Sequence, residues 1–389
     1  MSKPTIEDEH INFADGNLVI LAGPGADIPG RGRRDGPVHS FRCHQSVLAR
    51  RSEPFQQMFG MPGSVPDEYL DGIPAVTLPD DWQDVRDLLR LLYDYLEIPR
   101  RHRDARTLET MAGPLRLAKK YMMTDIWTTL SQIFEDDWPM DLDHWYQAED
   151  ITAANVKAAH DHADTMMGSE KWQTWDINNH VPDPALAARL ALELHIPHAL
   201  RSAFYDLNRV FYASPFLEYD AFRRTEARRV VHPALDPPAF AALVGGRERL
   251  RARTAAYLRA LPDRLVRAST PRGYALPWQS CHGMRWSIMG WGDARESWPC
   301  EPQIRAWAAR VAEKLRMGGS EREGVPSFCV DPLAHLRRLQ EKLTSAATPA
   351  KEVEGMCVPC RWWVAEILRM DAQRLWDDLP ALFELPPGC

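Results

Sequence analysis

The spacing of hydrophobic residues changes once within residues 38–59. Phe41 and Cys43 alternate with the polar residues Ser40 and Arg42, and a period of two is typical of a strand with one buried face. After this strand the spacing becomes helical, at Val47, Leu48, Phe55, Met58 and Phe59. The pattern therefore predicts a strand that leads directly into two short helices.

Further elements are predicted on both sides of this segment. Ser52 is placed to start the second helix, because its hydroxyl can accept a hydrogen bond from a free backbone N–H of the first turn. Apolar runs at 18–21 and 75–78 predict two more strands. A single apolar stripe predicts a helix over 82–96, and helical spacing over 108–133 predicts a helical hairpin.

In their order and in their residues, these segments resemble a BTB/POZ domain over residues 15–138. The resemblance implies an α+β fold, in which a BTB/POZ domain at 11–138 forms a small sheet capped by helices. A mostly α-helical region follows at 139–389. The boundary lies at Pro139, because a proline disfavours the helical conformation of the residue before it. The whole layout is similar to that of fungal, basidiomycete-type BTB proteins.

The BTB/POZ family associates as homodimers and recruits other proteins. The resemblance therefore implies a non-enzymatic adaptor, with dimer contacts from the first helices and from Ile11 and Phe13. A substrate adaptor of a cullin-type ubiquitin ligase is an alternative. Residues 61–69 depart from the apolar-x-Glu element of such adaptors, since Pro66 occupies the apolar position before Glu68.

The region after residue 139 has helical spacing. Helices are predicted at 184–217 with a break at 196–197, and at 238–267, 303–317, 331–345 and 360–379. Trp307, Trp362 and Trp376 lie among apolar residues at this spacing, so we predict that they fill the core of a helical domain.

A Cys-x-x-Cys pair, Cys357 and Cys360, opens the last predicted helix. Two thiolates at this spacing can bind one tetrahedral zinc ion, and helix N-terminal amides stabilise thiolates. Cys281 and Cys300 would complete a four-ligand structural zinc site. The alternative is that the four are separate, buried thiols, since free cysteine is often buried. A redox pair is less favoured, because no βαβ pattern surrounds the motif.

The charge along the chain is uneven. Residues 223–272 contain twelve arginines and four acidic residues, a net charge of +8. Such a cluster could contact nucleic acid phosphates, so a DNA-associated transcriptional regulator is a second alternative. Aromatic residues that would stack on bases are sparse there. We therefore expect the arginines to pair with acidic segments of the same protein, such as residues 135–137.

Composition narrows the class of protein. The 389 residues carry a net charge of −7 at a pI of about 6.0, which gives no reason to expect a nucleic acid or membrane partner for the whole chain. The first ten residues lack the apolar core of a secretory signal, and no apolar stretch approaches the ~20 residues that cross a bilayer. Seven scattered cysteines do not suggest a disulfide framework. These features predict an intracellular protein, in the cytoplasm, the nucleus or both.

One sequence resembles a catalytic motif. His102, Arg103 and Asp104 match the start of a kinase catalytic loop, but Glu109 stands where an asparagine should bind Mg²⁺. We interpret the motif as a charged turn. We predict no enzymatic activity and assign no catalytic or cofactor-binding residues.

Overall fold

A computed structural model describes residues 5–24, 36–60, 68–94, 102–165, 180–212, 229–230, 235–267, 281, 300–316 and 328–389. The chain forms two compact units. The first comprises Met1–Phe240 with Pro386–Cys389, and the second comprises Ala241–Leu385. The boundary predicted at Pro139 lies within the first unit, between two of its helices. Most of the stretch 61–69 that bears on cullin binding lies outside the described residues.

The first unit begins with a mixed sheet of five strands. These are β1 (Thr5–Asn12), β2 (Leu18–Ala22), β3 (Val38–Cys43), β4 (Glu68–Leu70) and β5 (Ile73–Leu78). Their order across the sheet is β1-β3-β2-β5-β4. Strand β2 pairs antiparallel with β3 and parallel with β5, while β1 pairs parallel with β3. The three predicted strands therefore lie side by side at the centre of the sheet.

Burial explains why β2 is the central strand. Leu18, Val19 and Ile20 are all buried, as expected for a strand that is covered on both faces. Ile20 pairs with Phe41 of β3, which is also buried. The strand prediction for residues 18–21, 40–43 and 75–78 is confirmed, and the sheet supplies the first core of the unit.

Helices α1 (Gln45–Arg51) and α2 (Glu53–Gly60) follow β3 as predicted. The hydroxyl of Ser52 accepts a hydrogen bond from the backbone N–H of Phe55 at 3.3 Å and donates one to the carbonyl of Tyr121 at 2.6 Å. Ser52 therefore starts α2 and also ties it to a later part of the unit.

The next three helices continue the pattern. Helix α3 (Trp82–Tyr93) starts at Asp81, whose carboxylate accepts a hydrogen bond from the backbone N–H of Gln83 at 2.9 Å. Helices α4 (Ala105–Lys120) and α5 (Thr124–Asp137) form the predicted hairpin and bury Leu115 and Leu130. The described part of α3 ends earlier than the predicted 82–96, because Tyr93 is followed by a non-helical residue at 94.

The rest of the first unit is mostly helical. It contains α6 (Leu142–Thr165), α7 (Pro184–Glu193) and α8 (Leu200–Arg209), and the predicted break at 196–197 is present between the last two. A short parallel pair, β6 (Phe211–Tyr212) with β7 (Arg229–Val230), was not predicted. Strands of two residues are too short to produce a period-two pattern.

The second unit is built from helices at the predicted positions. They are α9 (Pro237–Arg267), which belongs to this unit from residue 241 onward, α10 (Glu301–Arg316), α11 (Pro332–Thr344) and α12 (Val358–Leu382). The buried guanidinium of Arg361 in α12 donates hydrogen bonds to the carbonyls of Leu343 and Ser345 at 2.8 and 2.5 Å. It therefore satisfies carbonyl groups that the end of α11 leaves free.

A close approach within the second unit requires a glycine. A Cβ atom at Gly246 of α9 would lie 2.0 Å from the ring of Phe383, which is fully buried. The absence of a side chain at position 246 lets this ring pack against the helix backbone. None of the helices in the described parts of the chain combines the length and apolar character that crossing a bilayer requires.

The turn at His102, Arg103 and Asp104 is not simply a solvated charged turn. The side chain of Arg103 is 1% exposed, and its backbone has a positive φ of 59°. The guanidinium donates hydrogen bonds to Asp206 at 3.0 Å and to the hydroxyl of Thr152 at 3.0 Å. It also lies over the ring of Trp138, 4.7 Å from the centroid. Sequence could not reveal this burial, because Arg103 is far in sequence from its main partner.

Asp206 is the matching buried anion. Its side chain is 0% exposed and also accepts hydrogen bonds from the indole N–H of Trp145 at 3.3 Å and from Arg209 at 3.0 Å. Burying a charge is costly unless it is paired and hydrogen-bonded. The cluster of Arg103, Asp206, Trp145 and Arg209 therefore connects the turn before α4 with α6 and α8.

Replacing Asp206 tests the importance of this cluster. We expect Asp206→Ala to lower the free energy of unfolding of the first unit by about 3–5 kcal/mol, because it removes the carboxylate nearest to the buried Arg103 and leaves that guanidinium with the more distant Glu149, at 3.5 Å. Urea denaturation followed by tryptophan fluorescence measures the change. The control is Asp161→Ala, which removes an exposed partner of Lys157 and should have little effect. Equal effects of the two substitutions would contradict the prediction.

Candidate metal centre

The start of α12 positions the Cys-x-x-Cys pair. Cys357 is the residue before the helix, and Cys360 lies in its first turn. The chain reaches this point through a turn in which Glu354 and Gly355 have positive φ angles of 53° and 71°, conformations that glycine adopts easily. The turn therefore directs the chain so that both sulfurs lie at the N-terminal end of α12.

A second helix start supplies another thiol. Cys300 precedes α10, and its carbonyl accepts a hydrogen bond from the backbone N–H of Ile304 at 2.9 Å. Cys281, Cys300 and Cys360 are buried, whereas Cys357 is half-buried. Two helix N-termini thus lie beside the thiols, and the partial positive charge of a helix N-terminus favours the thiolate form.

The four sulfurs form a compact group. The Sγ atoms of Cys281, Cys300 and Cys357 are separated by 3.6, 3.6 and 3.7 Å, and all four sulfurs lie within 4.8 Å of one another. A disulfide requires about 2.05 Å, so these are free thiols. A tetrahedral ion with bonds of about 2.3 Å to sulfur would hold the sulfurs about 3.8 Å apart. The four cysteines are therefore close enough to hold a metal ion.

Burial opposes ionisation of Cys300. The pKa of this thiol is raised to about 11, mainly by burial and also by the neighbouring thiols of Cys281 and Cys357, while a hydrogen bond from the backbone of Cys357 offsets part of the rise. Several thiolates in one buried space repel each other. A bound cation would offset this repulsion and favour deprotonation.

The structure brings together the four cysteines that the sequence predicted as one set. Their assembly depends on the fold, since Cys281 and Cys357 are separated by 76 positions. Cys43, Cys329 and Cys389 do not belong to the group. The group therefore brings together Cys281, the residue before α10 and the start of α12.

The predicted burial of the tryptophans is partly wrong. Trp307 and Trp376 are buried as predicted, but Trp362 is 54% exposed, and Val358 one turn earlier is also exposed. The neighbouring Trp363 is buried instead. Adjacent residues on a helix point about 100° apart, so helical spacing could not decide which of the two tryptophans faces the core.

Arginines of the basic segment pair mainly within the second unit. Arg251 pairs with Glu248 on the same helix, whereas other arginines of α9 reach acids at the C-terminal end of the unit. These pairs are Arg249–Glu384, Arg253–Asp378 and Arg264–Asp371. The expectation that such arginines neutralise acids of the same protein agrees with these pairs. The partners are on α12 or just after it, not at residues 135–137. Arginines 223, 224, 228 and 272 lie outside the described residues.

The sequence did not single out Asp371, which is the most buried of these acids. Asp371 lies beside the buried apolar residues Ala372 and Leu375 of α12. This position in the sequence could have identified it as a buried acid. An acidic side chain on the core face of a helix requires a partner.

A scan against protein-family models, a search of curated proteins and a search of solved structures each found no match for this chain. The BTB/POZ resemblance therefore stays a prediction that rests on the residues and on the order of the elements.

The cysteines outside the group allow a reactivity test. Cys43 is buried in β3, and burial raises its pKa to about 12, so at pH 8 about one molecule in ten thousand carries the reactive thiolate. We expect Cys43 to resist iodoacetamide in the native protein, while the half-buried Cys329 is modified. Peptide mass spectrometry measures both rates. Modification of Cys43 as fast as Cys329 would contradict the burial described above.

Proposed function

We propose that this chain is a non-enzymatic adaptor, which binds other proteins through an N-terminal BTB/POZ domain and carries a structural zinc ion in its second unit. The adaptor proposal rests on one observation. Strands β3, β2 and β5 lie side by side, and α1 and α2 follow directly after β3. This is the arrangement expected from the resemblance. The zinc proposal rests on the four cysteines.

The chemistry of the cysteine group favours zinc. Thiolates are soft ligands that select zinc, copper(I) or iron–sulfur clusters. An iron–sulfur cluster places inorganic sulfide between its irons and so holds its cysteines farther apart than a single ion does. The spacing of 3.6–3.7 Å between three of the sulfurs fits a single tetrahedral ion. Four protein ligands leave no open position for substrate, which is typical of a structural site.

Zinc would connect parts of the second unit that are distant in sequence. Cys300 precedes α10, while Cys357 and Cys360 begin α12. Because an unfolded chain rarely preserves such a site, the free energy of binding becomes free energy of folding. The ion would therefore stabilise the second unit without taking part in a reaction.

Metal analysis with a matched pair of variants tests the zinc proposal. We expect one zinc ion per chain in the purified protein, and Cys360→Ser should lose most of it. The second unit should then lose about 3 kcal/mol or more of stability, a fraction of the ~10–16 kcal/mol that structural zinc supplies. The control is Cys329→Ser, outside the group, which should retain the ion. Zinc near zero in the unmodified protein, or equal loss in both variants, would end the proposal.

The kinase-like motif has structural roles, which supports a non-enzymatic function. Arg103 is held in the buried cluster with Asp206. Asp104, which would be the base in a kinase, accepts a hydrogen bond from the backbone N–H of Arg106 at 2.9 Å and so starts α4. Both side chains therefore have partners within the fold.

The surface of the first unit suggests where a second copy would bind. Ile11 is 3% exposed within its own chain, and Phe13 stacks on Tyr93 with the ring centroids 4.4 Å apart. These two residues therefore already pack inside one chain. The edge strand β1 carries Glu7, Asp8 and Glu9, and like charges oppose pairing with the same edge of a second copy. We therefore propose that the dimer contact lies on α1 and α2, where Val47 is half-buried.

Light scattering after size-exclusion chromatography tests the dimer. At micromolar concentration we expect twice the 44.4 kDa of one chain. Val47→Glu should shift the protein toward the monomer, because it places a charge in the apolar contact. The matched control is Ala154→Glu, an exposed position on α6 outside the proposed contact, which should remain dimeric. A strict monomer for the unmodified protein would count against the adaptor proposal.

A further inference from the structure

The second unit contains a cleft of about 380 Å³ that neither the adaptor proposal nor the zinc proposal uses. It lies between α9, α11 and α12. This volume is within the range of roughly 300–1,000 Å³ that is usual for small-molecule sites.

The floor of the cleft is apolar and partly aromatic. Phe328, Leu336 and Leu375 are buried residues that line it. The ring of Tyr257 is nearly parallel to that of Phe328, with centroids 6.2 Å apart. On the α9 side the lining includes Ala260, which is exposed and too small to fill the space. The cleft therefore offers a surface on which a flat apolar group can lie.

Polar groups converge on one buried carboxylate of the lining. Asp371 accepts a hydrogen bond from the hydroxyl of Tyr257 at 3.1 Å and from Nε of Arg264 at 2.7 Å. Arg374 lies 3.6 Å from the same carboxylate, and its side chain is 57% exposed. Two guanidinium groups thus surround one carboxylate, which cannot neutralise both. Asp371 fixes Arg264 in place and leaves positive charge facing the cleft.

A third arginine of the lining has an acidic partner of its own. Arg253 also lines the cleft and pairs with Asp378, which is not part of the lining. Within the described part of the lining, the two other arginines, Arg264 and Arg374, therefore share one acid, Asp371. A cationic ligand would be repelled by this set, whereas an anion would be attracted.

We infer that this cleft binds a small organic anion whose body is apolar and aromatic. The body would lie on Phe328 and Leu336, and its carboxylate or phosphate would contact Arg374, with Arg264 behind it. Guanidinium groups form paired hydrogen bonds with both kinds of anion. The inference concerns the second unit alone and is independent of the dimer.

Ligand-observed NMR titration of the full-length protein tests this inference with three probes of one shape. The probes are 2-naphthoate, 2-naphthyl phosphate and the neutral 2-naphthamide. We expect at least one of the two anions to bind at a single saturable site with a Kd of about 1 mM or tighter, which is ordinary for a fragment of this size. The amide should bind about tenfold or more weakly than that anion, because it lacks the charge that the arginines attract. Tighter binding of the carboxylate or of the phosphate identifies the natural head group.

Three variants locate the site. Arg374→Glu should weaken binding of the preferred anion by about tenfold or more, and Ala260→Trp should abolish it by filling the cleft. The matched control is Arg369→Glu on the same helix. Like Arg374, Arg369 is about half exposed and has an acidic partner three residues earlier, but it does not line the cleft. Its variant should bind like the unmodified protein.

Three results would overturn the inference. The first is the absence of saturable binding of both naphthyl anions at millimolar concentration. The second is binding of the amide as tightly as the anions, which would show that charge is not recognised. The third is equal weakening by Arg369→Glu and Arg374→Glu, which would place binding elsewhere or show a general charge effect. Circular dichroism of each variant verifies that the fold is retained.

Discussion

The cost of removing charged and ionisable groups from water shapes both units of this protein. In the first unit Arg103 and Asp206 are almost completely buried, and each is hydrogen-bonded to the other and to further partners. In the second unit Asp371 is held by Tyr257 and Arg264. Buried groups of this kind are tolerated only when their partners are positioned together. The packing of the helices that carry them is therefore closely specified.

The four cysteines also place ionisable groups away from water, since three of them are buried and the fourth is half-buried. Burial raises the pKa of Cys300, which disfavours the thiolate form of that residue. Nevertheless three of the sulfurs lie 3.6–3.7 Å apart, close to the separation in a tetrahedral site, and all four lie within 4.8 Å of one another. A zinc ion would supply positive charge and would join the start of α10 to the start of α12. The cleft beside Asp371 differs from the cysteine group. There two arginines share one carboxylate, and a bound anion would neutralise the remaining positive charge.

Much of the fold could be predicted from sequence because it is encoded locally. The alternation at Phe41 and Cys43 and the stripe of α3 depend on neighbouring residues, and both elements are found at the predicted positions. The four cysteines could be proposed as a set because few residue types bind metal in this pattern. The burial of Arg103 and the exposure of Trp362 could not be predicted. They depend on contacts between distant segments and on the rotation of a helix about its axis, which spacing alone does not fix.

The claim that four thiolates enclose one zinc ion is tested most directly by X-ray absorption at the zinc edge of the purified protein. We expect a first shell of four sulfur atoms at about 2.3 Å, contributed by Cys281, Cys300, Cys357 and Cys360. A first shell that contains nitrogen or oxygen neighbours, or a sample that contains no zinc, would contradict it.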